Sequence, residues 1–237
     1  MKLAVLSDIH GNHYTFFKAI EVIEAIKVDY IFFCGDICGY YYGQNEIIEY
    51  MRNKENIVSV LGNHDKLFLD YLNEIGKSDL NRSNRSFDLL NRSISKENLN
   101  YLKSLPHERS LIVNDLKIGL FHGSPWDPIN EYCYPDYNFE KYKTLEYDYI
   151  FQGHTHYKMF KRVNNIKIIN PGSLGQPRDK GYPSFVIIDT TCDEIEFFDV
   201  QFDIEKLISE VKKNEDTEQP KYLINVLRRI GTGEKNS

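Results

Sequence analysis

The sequence predicts an α/β fold organised around a parallel sheet. Three observations carry that expectation. Over the first 61 residues, short apolar runs alternate with amphipathic ones in the order strand, helix, strand, helix, strand. Such crossovers are right-handed and leave successive strands parallel. Polar clusters of Asp, Asn, Gly and His follow apolar runs, at the sheet edge where α/β proteins build their sites. From residue 109 onward strands come in pairs around short polar turns, the pattern of hairpins.

Residues 2–7 read as a buried strand. Residues 14–27 read as a helix, with Phe16, Ala19, Ile20 and Ile23 at helical spacing. Residues 29–34 form a second apolar strand, followed by Gly35-Asp36. A helix over 44–53 leads to a third strand, 56–61, which ends in Gly62-Asn63-His64-Asp65. The middle turns polar, with a helix over 79–91. Ser95 then caps a helix that runs to residue 104 and that Pro106 closes. The hairpins pair 109–113 with 116–121, 158–163 with 166–169, and 184–189 with 194–200. After residue 203 come two short helices separated by 214–220. No linker rich in Gly, Ser or Pro interrupts the chain. Residues 1–202 are therefore expected to form one domain, with 203–237 a helical appendage packed on it.

The 237 residues carry 29 Lys plus Arg against 35 Asp plus Glu, a net charge of −6. That balance disfavours a protein held on long nucleic acid by bulk positive charge. Hydrophobic residues at 41% and charged residues at 27% are those of a folded globular chain. No run approaches the ~18 apolar residues of a membrane-spanning helix, so no membrane partner is expected. The N-terminal apolar run is too short for an export signal, which predicts a cytoplasmic protein with reduced thiols. Among Cys34, Cys38, Cys133 and Cys192 there is no C-x-x-C pair, and Cys34 and Cys192 read as small apolar residues in or near strands.

The triplet Asn-Arg-Ser occurs at 81–83, 84–86 and 91–93, too irregularly for a structural repeat. On one helix Arg82, Arg85, Leu89, Arg92 and Lys96 would make a stripe. A solvated face is the favoured reading, and a cap presenting cations to a phosphate is the alternative.

Of seven histidines, five stand in the clusters: His10, His64, His122, His154 and His156. His13 and His107 lie outside them and read as structural or surface residues. The clusters are Asp8-Ile9-His10-Gly11-Asn12, Gly35-Asp36, Gly62-Asn63-His64-Asp65, His122-Gly123 and Gly153-His154-Thr155-His156. Carboxylate, amide oxygen and imidazole suit hard or borderline divalent metals. In an extended segment residues i and i+2 point the same way, which pairs Asp8 with His10 and His154 with His156. Asp8, His10, Asp36, Asn63, His122, His154 and His156 are too many ligands for one ion with an open position. They suit two ions sharing one carboxylate. Two divalent ions less two carboxylates leave a positive site, suited to a phosphate and to charge growing on it. Two ions ~3.5–4 Å apart also hold a bridging hydroxide for in-line displacement. Walker A, dinucleotide-binding and nucleophile-elbow patterns are absent.

In order, D-x-H, G-D, G-N-H-[DE], H and G-H-x-H resemble the motifs of the calcineurin-like metallophosphoesterase superfamily. The stretches 35–40, 122–125 and 170–179 resemble a branch of small bacterial and archaeal predicted phosphoesterases. The resemblance spans essentially the whole chain. It implies a four-layer α/β/β/α sandwich. It also implies one metal on Asp8, His10, Asp36 and His156, and a second on Asp36, Asn63, His122 and His154, with Asp36 bridging. His64 matches the histidine that protonates the leaving oxygen, and Asp65 is expected to orient that imidazole. Manganese is the expected ion, with iron, zinc, nickel and cobalt as alternatives. Tyr40, Tyr41 and Tyr42 stand where the branch often has Gly and Pro. Ordinary packing is the favoured reading of these rings, and stacking on a nucleobase or aryl group is the alternative. Arg178 and Asn12 are candidates for phosphate contacts.

The expected activity is hydrolysis of a small phosphate ester, a nucleotide among the candidates, with phosphodiesters favoured. A phosphomonoesterase or dinucleoside polyphosphate hydrolase is the alternative, and a protein phosphatase is less favoured for want of gripping arginines. A non-catalytic scaffold of the same fold is a distant third, because the full ligand set is kept. A nuclease acting on long polymers is disfavoured by the acidic charge.

Overall fold

The computed structural model describes residues 1–74, 85–214 and 219–232. In chain order the strands are β1 (Lys2–Leu6), β2 (Tyr30–Phe33), β3 (Ile57–Ser59), β4 (Glu108–Val113) and β5 (Leu116–Phe121). They continue as β6 (Tyr149–Phe151), β7 (Lys158–Val163), β8 (Ile166–Pro171), β9 (Ser184–Asp189) and β10 (Glu194–Asp199). The helices are α1 (His13–Ile26), α2 (Gln44–Arg52), α3 (Asn63–Glu74), α4 (Arg85–Ser93), α5 (Lys96–Ser104), α6 (Ile204–Asn214) and α7 (Gln219–Leu227).

Among the described residues the strands form two five-stranded sheets, in the orders β10-β9-β1-β2-β3 and β4-β5-β6-β8-β7. β1, β2 and β3 are parallel, as expected, and β5, β6 and β8 are parallel in the second sheet. Each expected hairpin pairs antiparallel. The β4–β5 turn has positive φ at both Asn114 and Asp115, a conformation whose twist matches the strands it joins. The β9–β10 hairpin adds to the first sheet beside β1, so both sheets are mixed.

Period-two alternation explains the layers. Along β1, Leu3 and Val5 enter the core between the sheets, while Ala4 and Leu6 face the helices. In the second sheet Ile118, Leu120, Tyr149, Phe151 and Ile169 point at the first sheet. Phe121, Ile150 and Ile168 point outward, where a short 3-10 helix (Phe139–Thr144) brings Phe139 and Tyr142 against them. The result is helices, sheet, sheet and a thin outer layer. Leu207, Ile208, Val211, Leu223 and Leu227 of α6 and α7 gather around Tyr41. Among the described residues no helix is long and apolar enough to cross a membrane.

Four readings need correction or completion. The polar cluster at 62–65, given above only as the end of the third strand, runs into α3 from Asn63, whose Phe68 buries into the helix-side core. The apolar run ahead of Gly153 is β6, three residues long, whose bounds the sequence reading leaves open. Cys192 is exposed in the β9–β10 turn, whereas Cys34 is buried. Of the helix expected over 79–91, residues 79–84 lie outside the described residues. So does Arg82 of the proposed stripe. Arg85 donates to the Asn214 carbonyl at 2.8 Å, which ties α4 to the end of α6.

Candidate metal centre

The C-terminal ends of β1, β2 and β3 from one sheet meet those of β5 and β6 from the other. They deliver Asp8 and His10, Asp36, Asn63 and His64, His122, and His154 with His156. Asp8, His10, Asp36, His122, His154 and His156 are all buried. Asp8, His10, Asp36, His154 and His156 have φ between 50° and 67°, the left-handed region that costs non-glycine residues energy. Extended-chain alternation therefore does not explain why the pairs converge. Left-handed turns aim these side chains, and that is a correction to the sequence argument.

The hydrogen bonds assign the imidazole protons. A carbonyl only accepts, so each ring nitrogen facing one must donate. His10 Nδ1 faces the Cys38 carbonyl at 2.9 Å, His122 Nδ1 faces Cys34 at 2.7 Å, and His156 Nδ1 faces Gln176 at 2.7 Å. In its neutral tautomer each of these rings turns an Nε2 lone pair inward. His154 is reversed: Nε2 faces the Asn130 carbonyl at 3.2 Å, which leaves Nδ1 as its lone pair.

These lone pairs converge on carboxylate oxygens. His10 Nε2 and His156 Nε2 are 3.1 Å apart, and Asp8 Oδ1 is 3.3 Å from His156 Nε2. Asp8 Oδ2 accepts from Ser7 Oγ at 2.6 Å and His154 N at 3.0 Å, while Oδ1 is buried without a hydrogen-bond donor. Asp36 Oδ1 accepts from His64 N at 2.8 Å. Its Oδ2 lies 3.6 Å from His10 Nε2 and 3.4 Å from His122 Nε2, between the two halves of the cluster. Asn63 Oδ1 is 2.9 Å from His122 Nε2, and the His154 ring stands 4.7 Å from that of His122. Among the described residues three sets of side chains bring their ligating atoms within 4.8 Å of one another: Asp8, His10 and His156; Asp8, Asp36 and His122; His10, Asp36 and His64. Buried acceptors facing acceptors are unfavourable without positive charge between them. The donor set fits divalent cations.

Burial holds His10 down at about 3 and His154 down at about 4, so both are neutral over the working range. Burial would lower His122 too, but the Asp36 carboxylate outweighs it and the balance lies up at about 9. A proton there does the work of a cation. Metal binding must displace it, so affinity at this position should rise about tenfold per pH unit up to about pH 9. Manganese titrations between pH 6 and pH 9 check this, and the His122→Ala protein should lose that dependence. Burial raises Asp8, but His156 and His122 outweigh it and hold the carboxylate at about 2.

Asp65 needs correction. Its oxygens accept from the backbone N–H groups of Asp36 (2.9 Å), Cys38 (2.8 Å) and Gly62 (3.0 Å). It clamps two loops together, while His64 Nδ1 is buried without a partner. The residue that tunes the His64 ring is therefore not Asp65. The ring is flanked by His10 and Tyr40, with centroids 4.8 Å and 5.1 Å away. Tyr40 also lies 4.6 Å from His10, and its hydroxyl has Arg178 beside it. Both thus reach the rim of the site. Tyr41 is fully buried under α6 and α7, where it cannot stack on a ligand. Asn12 Oδ1 caps α1 by accepting from Thr15 N, and its buried Nδ2 has no partner.

Several supporting residues stand outside the candidate ligand set. Asn170 Nδ2 donates to the Gly153 carbonyl at 2.7 Å and to Thr155 Oγ1 at 3.0 Å, fixing the loop of His154 and His156. Ser173 Oγ donates to the Asp8 carbonyl at 2.7 Å. A Cβ at Gly153 would run into Ser7 Oγ and come within 2.8 Å of Asp8 Oδ2, so only glycine fits there.

A two-sheet sandwich with a buried histidine–carboxylate cluster at its strand ends is the class of metal-dependent phosphoesterases. Residues 1–193 match the model of the calcineurin-like phosphoesterase superfamily domain, and the chain belongs to that superfamily, whose members are hydrolases. It is 33% identical over 234 residues to an uncharacterized protein, MJ0912, of Methanocaldococcus jannaschii, covering 90% of this chain and 92% of that one. It is 27% identical over 190 residues to the phosphodiesterase MJ0936 of the same organism, covering 80% and 93%. A metallophosphoesterase from Sphaerobacter thermophilus superposes with a TM-score of 0.77 at 27% identity, covering 97% and 98%.

Proposed function

We propose that this protein hydrolyses phosphate esters, phosphodiesters by preference, at a centre of two divalent metal ions. One observation carries the reading: Asp36 Oδ2 lies between two groups of inward-facing acceptors, at 3.6 Å and 3.4 Å from His10 and His122. Asp8, His10, Asp36 and His156 would hold one ion. Asp36, Asn63, His122 and His154 would hold the other, with manganese the expected metal. Bound there, the ions would supply an activated water for in-line attack and offset charge growing on the phosphate.

The protein's own groups do the rest. His64 stands beside His10 at the mouth of the cluster, with its backbone N–H on Asp36. Its role is to give a proton to the leaving oxygen. Burial holds its imidazole below the ordinary value, which makes its protonated form a stronger acid. Arg178 at the rim and the free Asn12 Nδ2 are the proposed phosphate donors. The substrate is a small phosphorylated molecule rather than long nucleic acid, in keeping with the net charge of −6. Four free thiols fit a reducing cytoplasm.

The test is metal analysis of the purified protein, paired with manganese-dependent hydrolysis of bis-p-nitrophenyl phosphate and of p-nitrophenyl phosphate. About two metals per chain and faster diester cleavage are expected, with activity lost to chelator and restored by manganese. Faster monoester cleavage would overturn the diester preference. No metal and no activity with any divalent ion would overturn the enzyme reading.

A further inference from the structure

An aromatic ladder leads away from the metal centre. Tyr132 stacks on the His154 ring, with centroids 3.7 Å apart and planes 27° apart. Tyr134 lies against Tyr132 at 5.7 Å, nearly parallel at 9°, and meets Tyr157 edge-on at 5.9 Å. Despite these contacts Tyr132 remains 45% exposed and Tyr134 38%. The nearby exposed Trp126 differs, because the Lys141 ammonium sits 4.1 Å over its ring.

The loop that carries the ladder is built. The N–H groups of His122 and Gly123 both donate to the Pro128 carbonyl, at 3.0 Å and 2.8 Å. Glu131, next to Tyr132, accepts from Tyr137 Oη at 2.6 Å and pairs with Lys141 at 3.1 Å. The rings are thus held in place before any ligand arrives, which lowers the ordering cost of binding.

We infer that Tyr132 and Tyr134 are a stacking platform for the base of a nucleotide ester whose phosphate lies at the metal centre. The inference rests on the phosphoesterase reading above. A phosphate beside His154 leaves the base one sugar away, and the tyrosine rings are the aromatic surface next to that histidine. Every base has a π-face, so the platform selects for a base and tolerates its identity. Neither tyrosine belonged to the sequence-level candidates. The run Tyr40–Tyr42, which did, has its middle ring buried.

The test measures binding directly, by calorimetry on manganese-loaded protein. The probes are the slowly hydrolysed phosphorothioates of adenosine (5′) and of ribose (5), which differ only in the base. Wild type should bind the adenosine compound about tenfold tighter. Tyr134→Leu should reduce that ratio to within about twofold, while Tyr134→Phe should keep it, because the ring and not the hydroxyl stacks. Equal affinity of wild type for the two probes would overturn the platform, and this comparison needs no variant to fold. An equal loss on both probes in Tyr134→Leu would also overturn it, showing a buttress for His154. Failure of the phosphoesterase reading shows separately, as absence of metal-dependent hydrolysis of bis-p-nitrophenyl phosphate.

Discussion

Asp36→Asn should abolish turnover and release at least one metal per chain. The carboxylate is fully desolvated between His10 and His122, and those neighbours hold it ionised well below the usual range against the opposing effect of burial. An amide there keeps the shape and removes the negative charge that two ions would share. Loss of an outer-shell partner alone costs metal sites ~10–100-fold in affinity or activity, and a shared ligand should cost more. The variant also leaves His10 and His122 without their anion. Metal content by mass spectrometry and turnover of bis-p-nitrophenyl phosphate are the readouts. Two tightly held metals in Asp36→Asn would remove the bridging role from this residue.

His64→Ala should behave oppositely: metal retained, activity lost. The His64 backbone N–H, which the substitution keeps, holds Asp36 Oδ1 at 2.8 Å, so the ligand cluster should survive. The ring is what disappears. General-acid catalysis is worth ~10²–10⁴-fold, and the loss should be greatest for leaving groups that need a proton. p-Nitrophenolate needs little help, so its esters should suffer less than alkyl esters. An acid acts only while protonated, so the wild-type rate on alkyl esters should fall on the alkaline side, and His64→Ala should lack that limb. Full turnover of an alkyl ester by His64→Ala would sink the assignment.

Much of the site was legible because chemistry and spacing coincide in it. Asp8, His10, Asp36, Asn63, His122, His154 and His156 all arrive at one edge, as their positions after apolar strands imply. The hairpins were legible because polar dipeptides such as Asn114-Asp115 tolerate positive φ. The start of α3 is not legible because its first residues double as site residues. β6 shows only as the apolar run ahead of Gly153, because its three residues are too short to fix its bounds. The role of Asp65 is not legible in the sequence, because adjacency to His64 in the chain says nothing about where its oxygens turn.

By itself, then, the sequence determined which residue types stand at the strand ends, and with them the family, the fold class and the metal-binding chemistry. Those follow from local patterns: burial periodicity for the strands, ligand chemistry for the clusters. Only the tertiary structure decided how the side chains are aimed. It placed Asp36 between two imidazoles, turned five candidate ligand residues into left-handed backbone, spent Asp65 on three backbone amides and set Tyr132 on His154. The reason is physical. Most of those outcomes depend on segments distant in the chain meeting at the strand ends, as β1 meets β6 at His154 N and Asp8 Oδ2, and no local pattern encodes such a meeting.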